Sequence, residues 1–136
     1  SIKFPRPMIK SGYEFSFSGL KSSVARYVET YNDFNINDVS ASFVAACIDV
    51  LSNKVLRAVE DKKPKTLAVV GGVAASLQLR ERMEKISNTT STRLCLPTIK
   101  WATDNAAMIA MAGWDYHDQG IVTDLEPKPN LKLEQA

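Results

Sequence analysis

Lys65–Arg82 reads KTLAVVGGVAASLQLRER: a short apolar run, a glycine pair, and then apolar and polar residues at helical spacing. The uncharged run Leu67-Ala68-Val69-Val70 predicts a strand, and its lack of charge predicts that both its faces are buried. Gly71-Gly72 ends it, and a helix restarts beyond. Glycines let the main chain approach a bound group closely, and N–H groups at a helix start attract anions such as phosphate. The same sequence also serves as a tight strand-to-helix turn in any α/β domain, and neither GxGxxG nor the P-loop pattern is present.

Downstream, Leu77, Met83 and Ile86 alternate with Gln78, Arg80, Glu81, Arg82 and Lys85, which predicts a helix along a sheet face, ended by the polar run Ser87 to Thr92. Arg93-Leu94-Cys95-Leu96-Pro97 predicts a second strand closed by proline, so strand, helix and strand form a βαβ unit with a parallel pair. Upstream, Val39, Phe43, Cys47, Val50, Leu51, Val55 and Ala58 form a long apolar stripe from about Val39 to Glu60. Asn35-Ile36-Asn37-Asp38 supplies turn and cap chemistry before it, and Asp61-Lys62-Lys63-Pro64 breaks it. Leu20, Val24, Tyr27, Val28 and Tyr31 predict an earlier helix, with Ser18 at its N-cap position and Phe15-Ser16-Phe17-Ser18 as loop or short strand. Ser1 to Ser11, with its prolines, reads as extended loop.

After Thr103-Asp104-Asn105, the residues Ala106 to Ala112 are nearly all apolar, which predicts a helix buried on most sides and ended at Gly113. Trp101 and Trp114 bracket it as expected core residues, and Asp118 to Ala136 reads as a surface tail. The class is therefore α/β, helix-rich with a short parallel strand pair, and two strands are few for a self-sufficient sheet.

The 136 residues suit one domain, and 45% hydrophobic residues suffice for a core. A formal charge of +2 does not announce a nucleic-acid binder. Cys47 and Cys95 lack CxxC or Cys/His spacing, so neither a thiol-rich metal site nor a disulfide framework is indicated, and a reducing compartment is the simpler inference. No apolar run reads as a membrane span, and the start is not a signal peptide. The absence of an initiator Met at Ser1 raises the expectation of a processed or excised piece.

Thr103-Asp104 admits two readings. Thr103 can cap the apolar helix with Asp104 complementing its dipole, or Asp104 can serve as a single ligand to a divalent metal whose other ligands lie elsewhere. His117 is the only histidine and reads as a solvated residue past a helix end. Arg80, Arg82, Lys85 and Arg93 form either a basic edge or a solvated helix face. No serine sits in a nucleophile motif.

Three stretches in order carry a resemblance: FPRP at Phe4 to Pro7 with FSFSGLKSSV at Phe15 to Val24, VVGGVAASLQLRERM at Val69 to Met83, and ATDNAAMIAMAGW at Ala102 to Trp114. Together they resemble the C-terminal half of the TsaD family, enzymes that complete threonylcarbamoyl modification of adenosine 37 (t6A) in ANN-decoding tRNAs. The resemblance implies part of the second lobe of an actin-like ATPase (ribonuclease H-like) fold in residues 1–116, with 117–136 as surface tail. It implies that Gly71, Gly72, Ala75 and Ser76 face the nucleotide of threonylcarbamoyl-AMP, with Thr103 beside the ligand. It matches Asp104 to the family's metal-binding aspartate, one divalent ion of Fe or Zn type per subunit. The partner histidines of the family's HxxxH motif are absent here and belong to the missing N-terminal half. Where the family has asparagine at the end of GGVxAN, this chain has Ser76, which is shorter but keeps a donor and an acceptor. Ser16, Ser18, Gly19 and Lys21 match a family motif at the cleft edge without a catalytic role.

The implied chemistry is carbamoyl transfer: the N6 amine of adenosine attacks the carbamoyl carbon of a metal-held adenylate, and AMP leaves. Implied partners are tRNA, threonylcarbamoyl-AMP, the missing half and a second copy in a homodimer, with no membrane. TDNAAMIA is closer to the bacterial and mitochondrial type, so the mitochondrial matrix is expected first and the bacterial cytoplasm second. Two other readings stay open: an ATP-binding sugar-kinase-like member of the same superfamily, and a non-catalytic interaction fragment.

Overall fold

A computed structural model describes residues 2–121. The chain divides into two compact units, one through Thr103 and one from Asp104 onward. The first holds α1 (Ser18–Thr30), α2 (Ile36–Lys62), β1 (Thr66–Ala68), α3 (Leu77–Thr90) and β2 (Arg93–Cys95), with short 3-10 turns at Gly72–Ala75 and Ile99–Trp101. The second holds α4 (Ala106–Asp118). The expected tail falls largely outside the described residues.

The long helix α2 is the spine of the first unit. Asn35 starts it, its side chain accepting the Asn37 N–H at 2.8 Å, and Lys63 ends it in a left-handed conformation. Its N-terminal half packs with α1 and the entry loop through Phe4, Leu20, Val39 and Ala46. Its C-terminal half packs with α3 and the sheet through Val59, Leu79, Met83 and Ile86, with Leu67 and Leu94 brought in from the strands. By length and composition α2 could cross a membrane, contrary to the sequence expectation. It carries Asp49 in mid-helix, however, where Arg6 of the entry loop lies at 2.9 Å and Arg82 of α3 at 3.4 Å. Lys54, also on α2, is only 4% exposed. These charged anchors and the packing on both halves are those of a core helix.

The βαβ unit forms as expected: β1 and β2 are parallel, with Thr66 opposite Arg93, Leu67 opposite Leu94 and Ala68 opposite Cys95. The strand expectation was too deep and too long. β1 stops at Ala68, Thr66 and Ala68 are exposed, and Val70 is 76% exposed. A two-stranded sheet gives β1 one neighbour, and the half-buried Leu67 is what it contributes to the core.

Three further expectations fail locally. Phe15–Phe17 is the loop of the two readings, but Ser18 is the first residue of α1 rather than its side-chain cap. Gly113 lies inside α4, which runs on to Asp118, so His117 belongs to the helix and stacks on Trp114 at 5.9 Å. The apolar α4 has no buried residue, and the expected core tryptophans Trp101 and Trp114 are 49% and 65% exposed. Apolar composition predicts a need for burial; it cannot say that the covering surface belongs to the same stretch of chain.

Candidate functional site

The strand-to-helix connection after β1 is built from the backbone up. Val69 N–H donates to Cys95 O at 3.1 Å, the last link to the sheet. The chain then turns through Gly71 at φ +89° and ψ 171°, a conformation open to glycine and strained for other residues. The 3-10 turn Gly72–Ala75 follows, with Ala74 N–H donating to Gly71 O at 2.9 Å and Ser76 N–H to Val73 O at 3.0 Å. The methyl group of Ala74 is buried, while Gly71, Gly72 and Val73 face outward. A Cβ built on Gly71 or Gly72 would meet nothing within 4 Å. Gly71 therefore answers to backbone geometry. Gly72 is demanded by neither geometry nor packing within the unit, and its bare backbone leaves an open wall.

Ser76 ends the turn and begins α3. Its hydroxyl accepts the Leu79 N–H at 3.4 Å and donates to Gln78 Oε1 at 3.1 Å. This is N-cap work, which asparagine performs about equally well. The departure from the family's GGVxAN is thus an exchange between two good caps, and Ala75 and Ser76 are both half-buried.

Sequence reasoning missed Arg80, which it placed on a basic edge or solvated face. Helical side chains lean toward their own N-terminus, and Arg80 reaches back from the first turns of α3. Its Nε–H donates to Ala74 O at 2.6 Å and its Nη2 to Pro97 O at 2.6 Å. Pro97 leads into the 3-10 turn Ile99–Trp101, which lies against Gly72–Ala75. Thr103 follows this second turn and is exposed. The signal was available in the spacing, since Arg80 lies four residues beyond the cap Ser76.

A second unforeseen feature ties down the entry loop. The Lys54 ammonium donates to Met8 O, to Ser11 O at 2.5 Å and to Gly12 O at 3.1 Å. Arg57 adds a bond to Gly12 O at 2.9 Å. Burial, with Arg57 nearby, pushes the Lys54 pKa below the ordinary lysine value, and the charge of Glu14 opposes that shift.

In the second unit Asn105, not Thr103, caps α4: its side-chain oxygen accepts the Met108 N–H at 3.0 Å. Asp104 is exposed beside this cap. Among the described residues no group of three His, Cys, Asp or Glu side chains could hold a metal ion. The donors present do not make a metal site, and Asp104 supplies at most one ligand. Cys47 and Cys95 are half-buried free thiols, and burial pushes the Cys47 thiol up. Two hollows lie in the groove between α2 and α3, one lined by Ser52, Leu56, Arg82 and Lys85, the other by Val44, Ile48, Asp49 and Gln78.

The family described as TsaD, tRNA N6-adenosine threonylcarbamoyltransferase, matches residues 1–111. A protein of that name from Thermosipho africanus is 42% identical over 97% of this chain and 42% of its own length. One from Lactobacillus acidophilus is 40% identical over 100% of this chain and 42% of its own. One from Staphylococcus haemolyticus is 39% identical over 98% and 41%. The chain thus spans about two fifths of the length of these bacterial relatives.

Proposed function

Because this chain belongs to the TsaD family of tRNA N6-adenosine threonylcarbamoyltransferases, we propose that it supplies the C-terminal part of an enzyme making t6A in tRNA. The reaction moves the threonylcarbamoyl group from threonylcarbamoyl-AMP to N6 of adenosine 37 in ANN-decoding tRNAs. The N6 lone pair attacks the carbamoyl carbon and a C–N bond forms. The bond from that carbon to the phosphate-bearing oxygen breaks, and AMP leaves with the electron pair while N6 gives up a proton. The observation that carries the reading is the match over residues 1–111 coinciding with an open glycine turn whose Gly72 no internal contact requires.

In this reading the Gly71–Ser76 turn lies along the nucleotide and binds it through main-chain groups, with Thr103 near the same ligand. Asp104 is one donor to a divalent ion of Fe or Zn type, the other donors coming from the portion of the polypeptide that this chain does not span. Such an ion, when bound, polarises the transferable carbonyl. The exposed apolar α4, with Met108, Ile109, Met111 and Trp114 between 46% and 66% exposed, is the surface that receives that portion. The length of each relative that this chain does not match, roughly three fifths, supports that choice of occupant. A homodimer of the completed enzyme is the expected assembly. The bacterial sources of the relatives favour the bacterial cytoplasm over the mitochondrial matrix.

The test joins this chain to the N-terminal portion of the Thermosipho africanus relative and measures t6A in tRNA by nucleoside mass spectrometry. The chimera is expected to modify tRNA and to carry metal, and residues 1–136 alone to do neither. Asp104→Ala in the chimera should leave it folded but lower its metal content and abolish modification. Full modification by that variant would sink the metal role, and modification by the isolated chain would sink the need for the rest of the polypeptide.

A further inference from the structure

A four-residue 3-10 turn is a weak structure, because its hydrogen bonds are poorly aligned and close only locally. Gly72–Ala75 has exposed Val73 on one side and the strained Gly71 at its entry, and a single buried methyl, that of Ala74, fixes it to the core. Something else must hold its backbone in one place, and Arg80 meets that need. Its two bonds, both 2.6 Å, run to carbonyls on two segments remote from each other in sequence, Ala74 in the turn and Pro97 after β2. The guanidinium is planar and permanently charged, so its donors sit in a fixed fork and both bonds are charge-assisted. Among the described residues Arg80 forms no ion pair, so its fork is given over to these carbonyls.

We infer that Arg80 is a positioning residue for the nucleotide site, a two-point staple that locks the Gly71–Ser76 turn to the segment at Pro97 and so sets where the turn's backbone donors meet the ligand. This rests on the reading that the glycine turn binds the nucleotide of threonylcarbamoyl-AMP. Arg80 acts through the main chain, to which both of its bonds tie it. Its charge also raises the potential near the turn, in favour of an anionic ligand. Geometry and charge are separable, because lysine keeps the charge but cannot offer a planar fork to two carbonyls.

Two measurements decide it. In the 136-residue chain, Arg80→Met keeps the aliphatic stem and removes both bonds. Amide hydrogen exchange is expected to quicken at residues 71–76 and 98–102 while α2 keeps its protection. Uniform loss of protection through α2 would make Arg80 a general stability residue and overturn the staple. In the chimera with the Thermosipho africanus portion, Arg80→Met should raise KM for threonylcarbamoyl-AMP about ten- to hundredfold, with a smaller change in kcat. Arg80→Lys should restore little of that loss, and full rescue by lysine would replace the staple with a simple charge effect. Gly72→Val separates the premises: if it too leaves KM unchanged, the nucleotide reading falls, and the staple with it. If Gly72→Val raises KM and Arg80→Met does not, the staple falls alone.

Discussion

The glycine turn and the α4 segment are both carried by family-like motifs, yet only the former has buried residues beneath it within its own unit. The Gly71–Ser76 turn sits on a sheet link at Val69, a buried Ala74, a serine cap and the Arg80 staple. The α4 segment has its own Asn105 cap but no buried residue along its 13 positions. Local chemistry suffices to start a helix, whereas most helical stability in proteins comes from a packed apolar face. A motif can therefore be complete as sequence and still be only half of a structure.

The sharpest way to break this contrast is to truncate one apolar residue in each region. Met83 is 1% exposed on α3, the helix that the turn leads into, in the cluster with Val59, Leu79 and Ile86, and Met83→Ala should cost about 2–5 kcal/mol in urea unfolding of the chain. Ile109 is 66% exposed on α4, and Ile109→Ala should change stability by no more than about 0.5 kcal/mol. A cost at Ile109 as large as that at Met83 would mean that α4 is covered in the isolated chain, and the contrast would disappear.

Within the turn, the two glycines make a finer version of the same comparison. Gly71→Ala must place a side chain at φ +89°, so a loss of about 1–3 kcal/mol is expected although nothing crowds the new Cβ. Gly72→Ala meets open space at an unstrained φ and should leave stability within about 0.5 kcal/mol. Equal losses at both positions would show that the pair is structural, and would remove the argument that Gly72 is kept bare for a ligand.

Sequence made the helices and the βαβ unit legible because their apolar spacing is local: the stripe from Val39 to Ala58 and the Leu77, Met83, Ile86 set lie inside α2 and α3. The turn was legible too, since Gly71 and Gly72 announce a bare backbone. What stayed hidden depended on partners far along the chain. The fork of Arg80 is meaningful only once Ala74 and Pro97 are adjacent, and the ammonium of Lys54 only once the Met8–Gly12 carbonyls fold over α2. Exposure of α4 was hidden for the opposite reason, because composition records what a helix needs and not which segment provides it.

The entry loop lies between the two extremes: buried Phe4 packs its start against α1 and α2, polar groups on α2 hold the rest, and its smallest tie is the most specific to test. Tyr13 is 44% exposed and its hydroxyl donates to the Asp61 carboxylate at 2.8 Å. That bond, then partial burial and the Asp61 charge, push the phenol pKa above its ordinary value of 10.0. A folded-state pKa raised above the unfolded one means that the folded chain holds this proton more tightly. The contribution is then complete below the unfolded value and is lost as pH rises through the higher folded value. Tyr13→Phe should therefore lower Tm slightly at neutral pH, and the difference from the native chain should shrink as pH passes above 10.0. Taking the difference between the two proteins cancels the titration of the other tyrosines and lysines. A difference that stays constant across that range would show that the hydroxyl contributes by packing, and the entry loop would then be held by its Lys54 and Arg57 anchors.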